Sequence, residues 1–204
     1  EGVVKNLTLA GKVNTAFQYG SGLVSCLYGT LQNVTAAGEF KSTASYVGGL
    51  IGKACTGAKV EGCKNTGLVE SNFVGTGGIL GISEYGTEFI RCANEGTVRV
   101  TASGKTAIGG IAGTSGNSTF YHCYNTGKIE NDSSCYIIAG IVGNCNAITD
   151  KDKTPMKLIG CYNKSNLSGK GSMGGICGAF LASTAKLGQG VMMDSCYNEG
   201  DIHF

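Results

Sequence analysis

The feature that most constrains this 204-residue chain is a ten-residue phrase that keeps returning: apolar, two variable, Cys, any, Asn, any, Gly, any, apolar. Residues 60–69 carry it around Cys63, Asn65 and Gly67, and residues 89–98 around Cys92, Asn94 and Gly96. Residues 120–129 repeat it around Cys123, Asn125 and Gly127, and residues 193–202 around Cys196, Asn198 and Gly200. A copy at 158–167 keeps Cys161 and Asn163 but has Ser165 in the glycine place. Two degenerate copies open the chain, with Val34 and Gly38 in one and Leu7 and Gly11 in the other, which makes seven copies. A second phrase precedes the later copies, as in Gly48-Gly49-Leu50-Ile51-Gly52 and Gly77-Gly78-Ile79-Leu80-Gly81. The cysteine register advances by 29, 31, 38 and 35 residues, so one unit is roughly 30 residues long.

A period of this size means units that cannot bury their own apolar face and must stack on their neighbours. Each unit holds two short apolar runs rich in Val, Ile and Phe, bounded by Gly and Asn-x-Gly, too short for helices and suited to strands. About 30 residues at ~3.3 Å each make two or three short strands, one turn of a solenoid. A propeller blade needs about 40 to 45 residues. The expected fold is therefore all-β: a single-stranded parallel β-solenoid (β-helix) of about seven coils, with residues 1–204 forming one repeat domain.

In-register parallel stacking turns each repeated position into a column. Val13, Phe40, Val69, Val98, Ile129, Leu167 and Ile202 read as interior, where burial of apolar area drives stacking. The next column, Asn14, Lys41, Glu70, Arg99, Glu130, Ser168 and His203, reads as outward, with charges alternating in sign so that neighbours on successive rungs attract. The asparagine column can hydrogen-bond along the ladder. The glycine two residues on suits a corner with positive φ; at Ser165 the corner is expected to deviate or to be carried by Asn166. Periodicity leaves open which apolar residue of the glycine-doublet phrase faces inward.

Of ten cysteines, Cys63, Cys92, Cys123, Cys161 and Cys196 share the column that Leu7 and Val34 open, so they substitute for small hydrophobes. Columns spaced at ~4.8 Å are wider than the ~3.8 Å between the Cβ atoms of a disulfide, which predicts that most remain free thiols. No C-x-x-C pair occurs and no zinc-like spacing is present, so neither metal nor cofactor is called for. Free thiols in this number are the usage of a reducing compartment.

Composition narrows the partners. Glycine is 35 of 204 residues, 42% of positions are hydrophobic and 15% are charged, which excludes a disordered chain. A net charge of +2 without a basic run leaves no electrostatic footprint for nucleic acid. No apolar stretch approaches the ~18 residues of a membrane span.

The Gly-Gly-Ile/Leu-x-Gly phrase followed by Cys123-Tyr124-Asn125-Thr126-Gly127-Lys128-Ile129, and again by Cys196-Tyr197-Asn198-Glu199-Gly200-Asp201-Ile202, resembles the GLUG-type repeats of bacterial surface adhesins and of IgA-cleaving metallopeptidases. The resemblance covers nearly the whole chain. It implies a secreted or cell-surface bacterial protein, of which this chain is a stalk or binding part, and it stands against the compartment that the thiols suggest. The chain has no H-E-x-x-H, so the peptidase activity is not implied with it.

Catalysis on a β-helix needs paired carboxylates or a metal with a base. Glu61 and Asp194 share a column four coils apart, and Glu95 and Glu199 lie three apart. His122, next to Cys123 in a strand, points away from it, and His203 lies in the outward column. The expected function is thus a non-enzymatic module for adhesion to a glycan or a host surface protein, or a structural stalk. A carbohydrate-active β-helix, with two carboxylates near the 150–153 loop, is the alternative. Candidate ligand-binding residues are Tyr124, Tyr162 and Tyr197, a column facing away from the thiols, and Asp150 and Asp152 in a long loop. The insertions around 150–153 and at 179–191 fall in adjacent coils and so on one side. An uncapped last strand also suits self-association through the sheet edge.

Overall fold

The computed structural model describes residues 2–101, 104–131, 135–146, 155–181 and 190–203. Among them every regular element is a β-strand and every pairing between strands is parallel. The chain winds as a β-solenoid. Its longest ladder places Val4, Leu31, Val60, Phe89, Phe120, Leu158 and Met193 over one another, the first apolar letter of all seven copies.

The turn itself is more broken than the periodicity predicts. One complete turn uses five short strands, Val47–Gly48, Ile51–Ala54, Lys59–Glu61, Lys64–Asn65 and Leu68–Ser71, where two or three are expected. The number of coils also falls, from the expected seven to about four. Four successive turns, beginning at Val47, Thr76, Gly104 and Cys135, have all five strands and a coil on either side. A copy of the phrase marks only one side of a coil, so the first two copies contribute a rung without a full turn, and the last forms the end of the stack.

The extra break lies at the residue before each cysteine-column position. Asn6, Asn33, Gly62, Arg91, His122, Gly160 and Ser195 all have left-handed backbone, with φ between 51° and 61°. Seven such corners stack on one axis. The N–H groups of Gly62, Arg91 and His122 there donate to carbonyls of the next rung at 2.8 Å, which holds the bend open.

The glycine two residues after each asparagine is a correction. Only Gly11 in that column has positive φ, at 117°; Gly38, Gly67, Gly96, Gly127 and Gly200 do not, and neither does Asn166. These glycines are needed for closeness. A Cβ at Gly67 would press on the carbonyl oxygen of Gly38, one at Gly96 on that of Gly67, and one at Gly127 on that of Gly96, each well inside van der Waals contact.

Burial follows the columns. Phe40, Val69, Val98, Ile129 and Leu167 are buried, and Phe89 and Phe120 stack inside at 4.7 Å. Both apolar residues of the doublet phrase turn out to be buried, Leu50 with Ile51, Ile79 with Leu80 and Ile141 with Val142. The second doublet glycine explains how a coil can be so thin. A Cβ on Gly78 would meet the Asn94 side chain, one on Gly110 that of Asn125, and one on Gly140 that of Asn163. The two repeated phrases therefore face each other across the interior. Bare backbone on one side makes room for the amide column on the other.

That column is continuous. Asn65 Nδ2 donates to Asn94 Oδ1 at 2.7 Å, Asn94 to Asn125 at 2.7 Å, Asn125 to Asn163 at 2.8 Å and Asn163 to Asn198 at 2.7 Å. The second amide proton goes to the carbonyl two residues on, at Gly67, Gly96, Gly127, Ser165 and Gly200. The first four asparagines are fully buried, so every amide group in the run must find a partner inside, and each does.

Candidate functional site

Tyr124, Tyr162 and Tyr197 stand on short strands, Tyr124–Asn125, Tyr162–Asn163 and Tyr197–Asn198, whose asparagines form the amide column, buried at Asn125 and Asn163 and exposed at Asn198 on the last rung. Alternation therefore turns the tyrosines outward. Their register is direct, and the rings stack at 5.0 and 5.1 Å with interplanar angles of 3° and 6°. Each ring covers its neighbour, so Tyr162 has no free face. What the ladder presents outward is ring edge and a row of three phenol oxygens.

One end of the ladder is locked. Ala93 lies under Tyr124, and the small side chain lets Lys64 from the rung below reach Glu95 at 2.8 Å. Tyr124 Oη donates to the same carboxylate at 2.6 Å. The Lys64 ammonium, and then the Tyr124 hydroxyl, hold the Glu95 carboxyl below the usual carboxylate range. The hydrogen bond to Glu95 in turn pushes the Tyr124 phenol up to about 12. At the other end Lys164 pairs with Glu199 at 3.0 Å and lies over the Tyr162 ring at 5.8 Å. From sequence Glu95 is considered only as a possible catalytic carboxylate, and neither it nor Lys64 as part of a binding site. Their signal was a lysine and a glutamate flanking the small residue beneath the tyrosine column.

On the rungs before the ladder, ending at Glu95, runs a groove of about 520 Å³. Its floor is the glycine column, Gly11, Gly38, Gly67 and Gly96, and its walls include Lys12, Glu39, Thr66 and Glu95. The close stacking that excludes a Cβ there also leaves the groove without side chains to fill it.

The other sequence candidates separate. Asp150 and Asp152 lie outside the described residues, as does most of each insertion. The outward charges form the expected ladder: Glu70 takes Lys41 at 3.4 Å and Arg99 at 3.0 Å, and Arg99 reaches Glu130 at 2.6 Å. All eight described glutamates, Glu61 among them with Arg91, have a basic partner on a nearby residue. Cys63, Cys92, Cys123 and Cys161 are fully buried free thiols, as the column reading requires. Cys123 donates to the Phe89 carbonyl at 3.3 Å and Cys161 to that of Phe120 at 3.4 Å. Burial pushes the Cys123 thiol well above its ordinary range. His122 occupies a left-handed corner on the outside, edge-on to Tyr121 at 4.1 Å. His203 lies 3.9 Å from Asp201. Among the described residues no group of three His, Cys, Asp or Glu side chains could hold a metal ion, and no helix is long and apolar enough to cross a membrane.

No protein-family model matches the chain, and no curated protein matches it. A crystal structure of a putative immunoglobulin A1 protease from Bacteroides ovatus is similar in fold, with a TM-score of 0.64 and 21% identity. The match covers 96% of this chain and 57% of that one, so the chain spans a little over half the length of the protein it matches. At this identity the likeness is one of fold alone.

Proposed function

We propose that this chain is a non-enzymatic GLUG-type repeat module of a secreted or cell-surface bacterial protein, which holds a glycan or a host surface protein along its tyrosine ladder. The observation that carries the reading is the Lys64–Glu95–Tyr124 hydrogen-bond lock, with Tyr162 and Tyr197 stacked on it and an open groove that ends at Glu95. Pre-ordered aromatic edges and hydroxyls lose little conformational entropy on binding, which is how a rigid surface recognises a partner. Pairing of the described glutamates supports a surface built for stacking over one built for acid–base chemistry. A stalk role needs no more than the same ladders. The exposed Val3 and Met193 on the first and last described rungs also suit contact with another β edge.

The test is a glycan array, a host-protein binding screen and a polysaccharide-degradation screen on the purified chain, with Tyr162→Ala and Asp150→Ala beside it. Binding lost in Tyr162→Ala, with folding intact, is the expected result. Polysaccharide cleavage that Asp150→Ala abolishes would overturn the proposal in favour of a carbohydrate-active β-helix. Antibody labelling of intact cells of the source bacterium checks the location, and signal only after lysis would refute it.

A further inference from the structure

We propose that a hydroxyl-lined cleft on the charged side of the first coils is a separate binding site for one neutral pyranose unit. The cleft encloses about 330 Å³ between Asn14, Thr15, Lys41, Ser42, Glu70 and Asn72, among others. That is the small end of the ~300–1,000 Å³ of ligand cavities and leaves room for a single ring.

Its hydrogen-bonding inventory is unfinished in a particular way. Thr15, Ser42 and Ser71 stack in register, and each hydroxyl accepts a backbone N–H two residues on, from Phe17 at 3.2 Å, Ala44 at 3.1 Å and Phe73 at 3.0 Å. Ser71 donates its proton to the Ala44 carbonyl at 3.4 Å. Among the described residues nothing accepts from Thr15 or Ser42, so both keep a proton to give. Asn72 Oδ1 is buried there without a donor. A vicinal diol, each hydroxyl both donor and acceptor, matches two free donors and one free acceptor.

Charge selects against anionic sugars. The lining contains Lys41 and Glu70, already paired at 3.4 Å, and Glu70 is held further by Arg99. The cleft thus carries no net charge, and carbon atoms make up more of its exposed lining than polar atoms do. Beyond the hydroxyls, the next outward column is Phe17, Ala44 and Phe73, with the two phenyl groups 82% and 51% exposed. Both phenylalanines lie outside the lining itself, two residues along the chain from Thr15 and Ser71, close enough to offer an apolar edge to the carbon face of a pyranose. The hydroxyl run ends where Val100 replaces Ser71 in the register, which places the site on the first three rungs only.

The tyrosine ladder plays no part in this site, and the experiment keeps the two apart. Amide spectra of the labelled chain are recorded with methyl α-mannopyranoside, methyl β-galactopyranoside, methyl β-glucopyranoside and N-acetylglucosamine, with glucuronate and sorbitol as controls. Each is taken to about 100 mM, enough to read a Kd of a few mM. At least one neutral pyranose should give saturable shifts at Thr43, Ala44, Asn72 and Phe73. Thr15→Val and Phe73→Ala should each weaken it roughly tenfold, the effect of losing one good contact, without moving the thermal midpoint. Tyr162→Ala should leave it unchanged. No saturable shift at these amides with any of the four sugars would overturn the proposal. Equal binding by Thr15→Val and Phe73→Ala, or stronger binding of glucuronate than of every neutral ring, would do the same.

Discussion

Replacing Asn94 with alanine removes the middle of the amide column. Asn94 is fully buried, accepts from Asn65 at 2.7 Å, and donates to Asn125 at 2.7 Å and to the Gly96 carbonyl at 3.3 Å. Three hydrogen bonds at about 1 kcal/mol net each give about 3 kcal/mol, and stranding Asn125 Oδ1 inside adds at least ~1 kcal/mol, so about 4 kcal/mol in all. The Gly96 carbonyl keeps the Lys128 N–H, whereas Asn65 Nδ2 keeps the Gly67 carbonyl for one proton and loses the acceptor of the other, so about 4 kcal/mol is the lower end. Asn198, half-released at the end of the column, is the internal control. Its loss removes one bond from Asn163 and one to Gly200, and Asn163 Nδ2 still has Ser165 at 2.8 Å. Asn198→Ala should therefore cost only about 1–2 kcal/mol. Urea unfolding followed by far-ultraviolet circular dichroism measures both, and amide exchange locates the damage, because a solenoid's stability is a sum of neighbour terms. Exchange should rise on the rungs of Asn65 and Asn125 before that of Asn198. Losses within ~0.5 kcal/mol of each other would refute the reasoning, since a column whose middle matters no more than its end is not what holds the coils in register.

Gly96→Val should destabilise by well over ~1 kcal/mol, because its Cβ would press on the Gly67 carbonyl and Asn65 Nδ2; an unchanged thermal melt would contradict the close approach. Ultraviolet titration should place the Tyr124 phenol at about 12, and Glu95→Gln should bring its midpoint back towards the ordinary value. The folded phenol is raised, so its contribution to stability is complete below the ordinary tyrosine range near pH 10 and disappears as pH climbs through about 12; melts across that interval check the sign. Timed alkylation with mass readout should modify exposed Cys26 in the native state and reach Cys63, Cys92, Cys123 and Cys161 only on unfolding. Arg99→Met should cost about 0.5–1 kcal/mol, shrinking at high salt, because the guanidinium spans partly exposed Glu70 and Glu130; a larger loss at high salt would be inconsistent with a screened ion ladder.

Much of the architecture is legible in the letters. In a parallel stack the same position recurs one rung up, so a column of Val, Phe and Ile must be inside, and a column of Lys, Glu and Arg must be outside. Val69 and Glu70 behave accordingly. The asparagine run was equally readable, because a buried amide has few partners other than its own copies. The tyrosines were readable as a column, but not that they stack so closely that the Tyr162 faces are covered. The cleft by Thr15, Ser42 and Ser71 was visible only as an unremarked hydroxyl column.

What sequence alone determined here is the period, the β character and the inward or outward sense of the columns in the cysteine phrase, because all three follow from repetition along one chain. The tertiary structure decided what each glycine is for and where the chain bends. A glycine serves either for its φ or for its missing Cβ, and the letter is the same in both cases. Which reason applies depends on how near another strand comes. For Gly96 the neighbour is the Gly67 carbonyl one rung away, and for Gly78 it is Asn94 across the core. The left-handed corners at Arg91 and His122, residues with no turn signature, were set by the need to carry the strand around that narrow interior.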